Sequence, residues 1–293
     1  MATVSWQVAN RRHELVSESP MVLALGIVIL GYRQVYLPAA CDQPVLRWRI
    51  DDFGYSGDRW QVHGPTGELF TTCTSVADAI RTVEYSALQE LFLPDSSVTT
   101  LHAALLGRGR FGLLIVGPAE SGKSTLAIAL WLAGFSLLGD DIALLDPEGG
   151  GLSAAPRRVS LRHPSRRLLG DDFWQRLAAT PSFMPTSEGC LFHPHELGGL
   201  PASACALAPT LIVFLARRGV KLGAAESRRL SPAELLVALA PYSNVVRTAG
   251  MGAALNRLQK LAELAPAYDL GRGPIPSMLE AIAALLPQDH FRP

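Results

Sequence analysis

The stretch Gly117-Pro118-Ala119-Glu120-Ser121-Gly122-Lys123-Ser124-Thr125 constrains this chain more than any other. It stands between an apolar run, Phe111 to Val116, and a helix-like one, Leu126 to Ala133, and its first eight residues fit the phosphate-binding pattern G-x-x-x-x-G-K-[ST]. A chance match in a chain this long has a probability on the order of 1%, and the strand and helix flanks that the pattern requires lower it further. Gly117 and Gly122 let the backbone turn tightly and approach an anion, so that main-chain N–H groups converge on phosphate oxygens. The helix that follows turns its positive end toward the same place. Lys123 reaches the outer phosphates as a point charge, and the Ser124 hydroxyl can ligate Mg2+.

At 293 residues, 48% hydrophobic and 18% charged, the chain has material for one large α/β domain, or for a domain with a smaller companion. Net charge is zero and the basic clusters Arg157-Arg158, Arg166-Arg167 and Arg228-Arg229 are short, so nothing calls for nucleic acid as a partner. The apolar run Met21 to Leu30 has about half the length that spans a bilayer and lacks the flanks of a signal peptide, so a cytoplasmic protein with no membrane partner is expected. Cys41, Cys73, Cys190 and Cys205 show no C-x-x-C spacing and read as thiols rather than a zinc site or a disulfide framework.

Residues 1–95 read as a small β-rich module ending in a helix, and 96–293 as the domain built on the loop. In the first, β-like stretches at Met21 to Leu30, Gln34 to Leu37, Val45 to Ile50, Trp60 to His63 and Leu69 to Cys73 are separated by turn residues. Ser75 then caps a helix to Leu93, just before Pro94. Trp6, Trp48 and Trp60 read as packing residues. In the second part, Thr100 to Leu106 is a β-like run, Gly134 closes the loop helix, and Ser136 to Leu138 and Ile142 to Leu145 are short strands. Thr210 to Ala216 is the most strand-like run of the second half. Helices are expected over Leu168 to Ala179, from Ser231 as cap to Leu239, over Ala253 to Leu264 and over Pro276 to Leu286, with Ala267 to Leu270 as an edge strand. Strands alternating with helices predict a layered α/β core. His193-Pro194-His195-Glu196 lacks the spacing of a helix-borne zinc motif and reads as a structured loop.

Asp140-Asp141 stands at a strand end, close in sequence to the loop. In such a place one carboxylate can hold a metal directly or through water, while the other accepts a proton from an attacking hydroxyl.

With Leu101-His102, the strand, the loop, Gly134 and Leu137-Leu138-Gly139-Asp140-Asp141 in this order, the chain resembles the catalytic domain of HPr kinase/phosphorylase and its shorter serine-kinase relatives. His102 precedes Lys123 by 21 positions and Asp141 follows it by 18, which matches that family's separations over residues 101–145. The resemblance implies a P-loop, phosphoenolpyruvate-carboxykinase-like α/β fold. It also implies ATP- and Mg2+-dependent transfer of the γ-phosphoryl group to a serine hydroxyl of a peptide or protein. Carried over residue by residue, Asp141 is the general base, Asp140 supports the metal with Ser124, Lys123 holds the transferring phosphate and His102 sits near it. Short relatives with an added N-terminal module often belong to peptide-modification pathways, including lasso-peptide tailoring, so a ribosomal precursor peptide is the first substrate class to test; a homo-oligomer is compatible with the resemblance. A small-molecule kinase acting on free serine or a sugar, and a nucleotide-sensing module that transfers nothing, are the alternatives. Glu120 departs from the family, whose loop has another Gly there, and its carboxylate should weaken triphosphate binding unless it points outward. Glu188 and Glu196 compete for the glutamate that completes the metal site, and Arg247, Arg257 and Arg272 for the arginine of the glycine-rich loop.

Overall fold

The computed structural model describes residues 2–8, 11–30, 45–53, 59–92, 99–146, 148–155, 157–186, 188–198, 206–217, 219–245 and 251–286. The expected strand at Gln34 to Leu37, together with Cys41, Cys205 and Arg247, lies outside them. The fold is mixed α/β, and the chain divides into two compact units, Met1–Ser96 with Ala155–Arg157, and Ser97–Ala154 with Arg158–Pro293. Among the described residues no helix is long and apolar enough to cross a membrane.

The first unit is a five-stranded sheet in chain order, β1 (Ala2–Val8), β2 (Arg11–Ser17), β3 (Leu46–Asp52), β4 (Trp60–His63) and β5 (Leu69–Cys73). Only the β2–β3 pair is parallel, and the crossover between them contains helix α1 (Pro20–Leu30). That helix corrects the β-like reading of Met21 to Leu30: an apolar run of ten residues has no periodicity that separates a buried strand from a buried helix. The signal lay in Ser19-Pro20, a polar residue followed by Pro at the first helical position. Strands β1 and β2 were not expected, although Val4, Trp6 and Val8 alternate with polar neighbours and are buried. Helix α2 (Val76–Leu88) begins as expected, with the Ser75 hydroxyl accepting from the Asp78 N–H at 3.1 Å, and ends in a 3-10 turn, Gln89–Phe92.

The three tryptophans of this unit are buried, and two of them enclose a histidine. His13 is wholly buried, stacks on Trp6 with ring centroids 5.4 Å apart, and accepts at Nδ1 from the Trp48 indole N–H at 3.2 Å. Burial, with Arg11 adding to it, pushes its pKa down from 6.5 to about 4. A histidine kept neutral by the fold takes up its proton more readily in the unfolded chain. Its stability contribution is therefore full above pH 6.5 and falls as pH drops toward 4, by about 3 kcal/mol in all. Hydrogen-exchange protection factors of β2 and β3 amides, taken relative to the intrinsic rate at each pH, are expected to fall over that window. A His13→Phe variant should lose most of this pH dependence; an unchanged profile would show that another group titrates.

The second unit holds a six-stranded sheet ordered β16 (Ser227–Arg229), β17 (Ala267–Leu270), β15 (Ala208–Leu215), β8 (Phe111–Val116), β7 (Ala103–Arg108) and β9 (Ser136–Gly139). β17, β15 and β8 run parallel. β7 is antiparallel to both neighbours, and β16 to β17. Both faces are covered, which is why the central strands read as unbroken apolar runs. On one face Leu105, Leu114, Val116, Ile212 and Phe214 pack with helices α6 (Pro232–Leu239) and α7 (Met251–Leu264). On the other, Leu106, Leu113, Ile115, Val213 and Leu215 pack with α3 (Lys123–Leu132), α5 (Asp171–Ala178) and α8 (Ile275–Leu285). Two three-stranded sheets complete the unit. One is ordered β11 (Leu152–Ala154), β10 (Ala143–Leu145), β6 (Thr99–Leu101), and the other β12 (Val159–Arg162), β14 (Gly189–Phe192), β13 (Met184–Pro185).

Three expectations change here. Thr100 to Leu106 is two strands in two sheets, broken at His102. The helix over Leu168 to Ala179 is split at Gly170 into α4 (Arg166–Leu169) and α5. Ala267 to Leu270 has the expected bounds but lies inside the sheet, because the short, exposed β16 covers it. Helix α6 opens as expected, on a capping box between Ser231 and Glu234 with Pro232 at the first position.

Candidate active site

The site begins with two changes of sheet at one seam. The chain leaves β6, which pairs with β10, and enters β7, which pairs with β8 and β9; His102 is the residue between. It likewise leaves β9 and enters β10 through Asp140 and Asp141. The two crossings are tied together by the Ala103 N–H donating to the Asp141 carbonyl at 3.1 Å, and the His102 N–H donates to the Tyr242 carbonyl at 2.6 Å. A histidine and two carboxylates thus stand together without being neighbours in sequence.

The loop arrives at the same place from the end of β8. Gly117 is required by close approach: a Cβ there would lie 2.6 Å from the Leu215 carbonyl oxygen and 2.8 Å from the Ser121 hydroxyl. Gly122, the residue before α3, has φ +99, open to glycine and strained for other residues. Gly117, Ser121 and Lys123 are buried, Pro118, Ala119 and Glu120 are exposed, and Gly122, Ser124 and Thr125 lie between. The Ser121 hydroxyl is buried with no hydrogen-bond partner among the described residues.

Three of the expected site residues form one connected row. Lys123, 6% exposed, donates to the carbonyls of Gly117 at 2.8 Å and Pro118 at 3.0 Å, and its Nζ lies 3.2 Å from His102 Nε2. The other ring nitrogen of His102, Nδ1, lies 2.9 Å from Asp141 Oδ1 and 3.1 Å from the Asp141 carbonyl. With acceptors on the Nδ1 side and an ammonium on the Nε2 side, the network places the ring proton on Nδ1. Burial lowers the pKa of Lys123, while Asp141 and Asp140 act in the opposite direction. Next to this row, Asp140 is 2% exposed, and its Oδ2 accepts from the Ser124 hydroxyl at 2.9 Å and the Ser160 N–H at 3.1 Å.

Glu120 points outward. It is the loop's left-handed residue other than glycine, φ +63, its side chain is 69% exposed, and it pairs with Arg162 at 2.5 Å; Glu188 stands 3.6 Å from the same guanidinium. Thr125 meets Ser165, hydroxyl to hydroxyl, at 2.8 Å. Glu196 is not at the loop contacts: both of its oxygens accept from the Ser182 N–H, and Oε2 also from the Ser182 hydroxyl at 2.5 Å. Arg257 bonds Thr99 at 3.2 Å and Arg272 is exposed. His193 to Glu196 forms no metal cluster, and no group of three or more metal-ligating side chains occurs among the described residues. Burial pushes the Cys190 thiol up to about 12, consistent with an inert core residue.

The sequence reading missed the neighbours that β12 supplies, the Ser160 N–H on Asp140 and Arg162 on Glu120. It also missed the cluster at the C-terminal ends of β15 and β17, on the same edge of the sheet from which the loop leaves β8. There Arg217 binds buried Asp269 through two bonds of 2.6 Å, and Arg228 binds the same carboxylate at 2.8 Å and Glu234 at 3.0 Å.

No protein-family model matches the chain, and no curated protein matches it. Among solved structures it matches the HPr(Ser) kinase/phosphatase from Coxiella burnetii, with 19% sequence identity over 64% of this chain and 92% of that one, at a TM-score of 0.33. A likeness at that score does not bear on the chemistry of the site, whose reading rests on its own residues.

Proposed function

We propose that the chain is a P-loop phosphotransferase that moves the γ-phosphoryl group of ATP, with Mg2+, to a serine hydroxyl of a peptide or protein. The observation that carries this reading is the row Lys123–His102–Asp141 closing beside Ser124 and Asp140. It sets a cation for phosphate, a pair of oxygen ligands and a positioned base at the end of one loop. The fit is chemical. The Ser124 hydroxyl and the Asp140 carboxylate are hard oxygen donors of the kind Mg2+ takes two at a time, with phosphate and water completing its shell. The buried Ser121 hydroxyl suits a ligand oxygen. When bound, Mg2+ would neutralise charge on the phosphates.

The residues divide the work. The Lys123 ammonium has its three donors on two loop carbonyls and His102, so phosphate oxygens exchange for carbonyls rather than for bulk water. His102 donates to Asp141 and fixes the plane of that carboxylate. As the bond from serine oxygen to phosphorus forms and the bond to the leaving oxygen of ADP breaks, Asp141 takes the hydroxyl proton. A serine hydroxyl becomes acidic only as it reacts, so a carboxylate of ordinary basicity suffices. The outward Glu120 keeps its carboxylate away from the cradle.

The acceptor class we favour is a ribosomal precursor peptide, of which the lasso precursors are the first to try. The test is incubation with γ-labelled ATP, Mg2+ and serine-containing peptides. Phosphoserine that disappears on chelation of the metal is the expected result. Tight ATP binding with no transfer to any acceptor would leave a nucleotide sensor, and transfer to free serine but not to peptides would make it a small-molecule kinase.

A further inference from the structure

Strand β12 lies along the loop from one side to the other. Its Ser160 N–H bonds Asp140, at the end where Lys123, His102 and Asp141 gather, and two residues on its Arg162 side chain bonds Glu120. The segment following β12 returns to the loop helix at Ser165, whose hydroxyl meets Thr125. Successive helix residues point about 100° apart, so Ser124 faces the acidic side while Thr125 faces the side of Ser165. The acidic side is the outer-phosphate end. Arg162 and Ser165 therefore flank the inner-phosphate and nucleoside end.

Glu120 has a conformation that glycine adopts freely and other residues adopt at a cost. An exposed ion pair returns little, and both partners here are more than half exposed. Holding a carboxylate in that conformation only to pair it with Arg162 would gain the resting loop nothing. The arrangement gains once the guanidinium has a stronger anion to take. A phosphate oxygen is such an anion, bound by the planar fork in two parallel bonds.

We propose that Arg162 is a nucleotide-binding residue held ready by Glu120, and that the inner phosphates of a nucleoside di- or triphosphate draw its guanidinium off the carboxylate. This rests on the loop's binding nucleotide as proposed above. Binding then exchanges two contacts, Lys123 from loop carbonyls and Arg162 from Glu120, and Arg162 sets affinity for MgADP as much as for MgATP, because both carry the inner phosphates.

The test is a double-mutant cycle, with Kd for MgADP and MgATP measured on wild type, Glu120→Gln, Arg162→Ala and the double variant, and thermal melting as the check on folding. Arg162→Ala is expected to weaken both nucleotides by roughly tenfold. Glu120→Gln should bind as well as wild type or better, and the double variant should stay roughly tenfold weaker than Glu120→Gln alone. Arg162→Lys, which keeps the charge without the fork, should recover part of the loss. If the double variant returns to wild-type affinity, Arg162 serves only to neutralise Glu120 and the proposal falls while the nucleotide reading stands. If wild type binds neither MgADP nor MgATP, both fall together.

Discussion

Replacing Asp141 by asparagine is expected to slow phosphoserine formation by roughly 10²- to 10⁴-fold, the range for loss of a positioned general base. The Kd for MgATP should stay within about threefold, since the phosphates are held by the loop and Lys123 rather than by this carboxylate. Asparagine matches the side chain in size, and its carbonyl oxygen can still accept from His102 Nδ1, which lies 2.9 Å from Asp141 Oδ1. The seam between β6–β7 and β9–β10 is also held by a main-chain bond that the substitution leaves alone, the Ala103 N–H on the carbonyl of residue 141. What disappears is the basic oxygen and one negative charge. Losing that charge removes part of what opposes the depression of the Lys123 pKa. Any change in nucleotide affinity should therefore grow as pH rises, when Lys123 loses its proton more readily than in wild type. Single-turnover kinetics with a saturating peptide separate chemistry from binding. A variant with undiminished single-turnover rate would remove Asp141 from the role of base.

Legibility followed the range of the forces involved. The stretch from Phe111 to Leu132 was readable because strand, turn and helix start are set by residues next to one another; so were Ser75 before α2 and Ser231-Pro232-Ala233-Glu234 before α6. His102 was identified as a candidate, but not the break it occupies. The break is made from far along the chain, where the Tyr242 carbonyl takes the His102 N–H, and Asn244 takes the Thr100 N–H through Oδ1 and donates its own N–H to the Thr100 carbonyl. No local pattern in Thr100 to Leu106 records that. Arg162 meets Glu120 across 42 positions, and its strand, four residues long, has only Val159 and Leu161 to mark it as alternating. Ala267 to Leu270 shows the same division: its bounds follow from its own residues, whereas its place inside the sheet depends on three exposed residues of β16 that have no apolar pattern.

Asp269→Ala is expected to lower the stability of the second unit by about 3 kcal/mol, at the lower end of what losing one partner of a buried ion cluster costs, because the two arginines keep some solvent. The carboxylate sits on β17 at 1% exposure and receives Arg217 through two bonds of 2.6 Å and Arg228 at 2.8 Å. Burial alone would raise its pKa. The hydrogen bonds and charges of Arg217 and Arg228 more than offset that and hold it below the usual carboxylate range. A carboxyl lowered by folding adds stability above its unfolded pKa and gives it up as pH falls through the folded value, so the gap between wild type and Asp269→Ala should close in acid. Alanine removes the carboxylate on which the two guanidiniums converge and leaves Arg228 with Glu234 alone. The damage should reach the loop, because β15 ends two residues before Arg217 and its Leu215 carbonyl is the wall against which Gly117 packs. Urea unfolding gives the stability loss, and MgATP affinity should fall with it. The triple change Asp269→Leu, Arg217→Met, Arg228→Met separates charge from shape. Apolar groups of similar size often replace a buried ion cluster without penalty, so this variant should recover most of the lost stability. A loss below about 1 kcal/mol in Asp269→Ala would mean that water already screens the cluster as it does a surface pair.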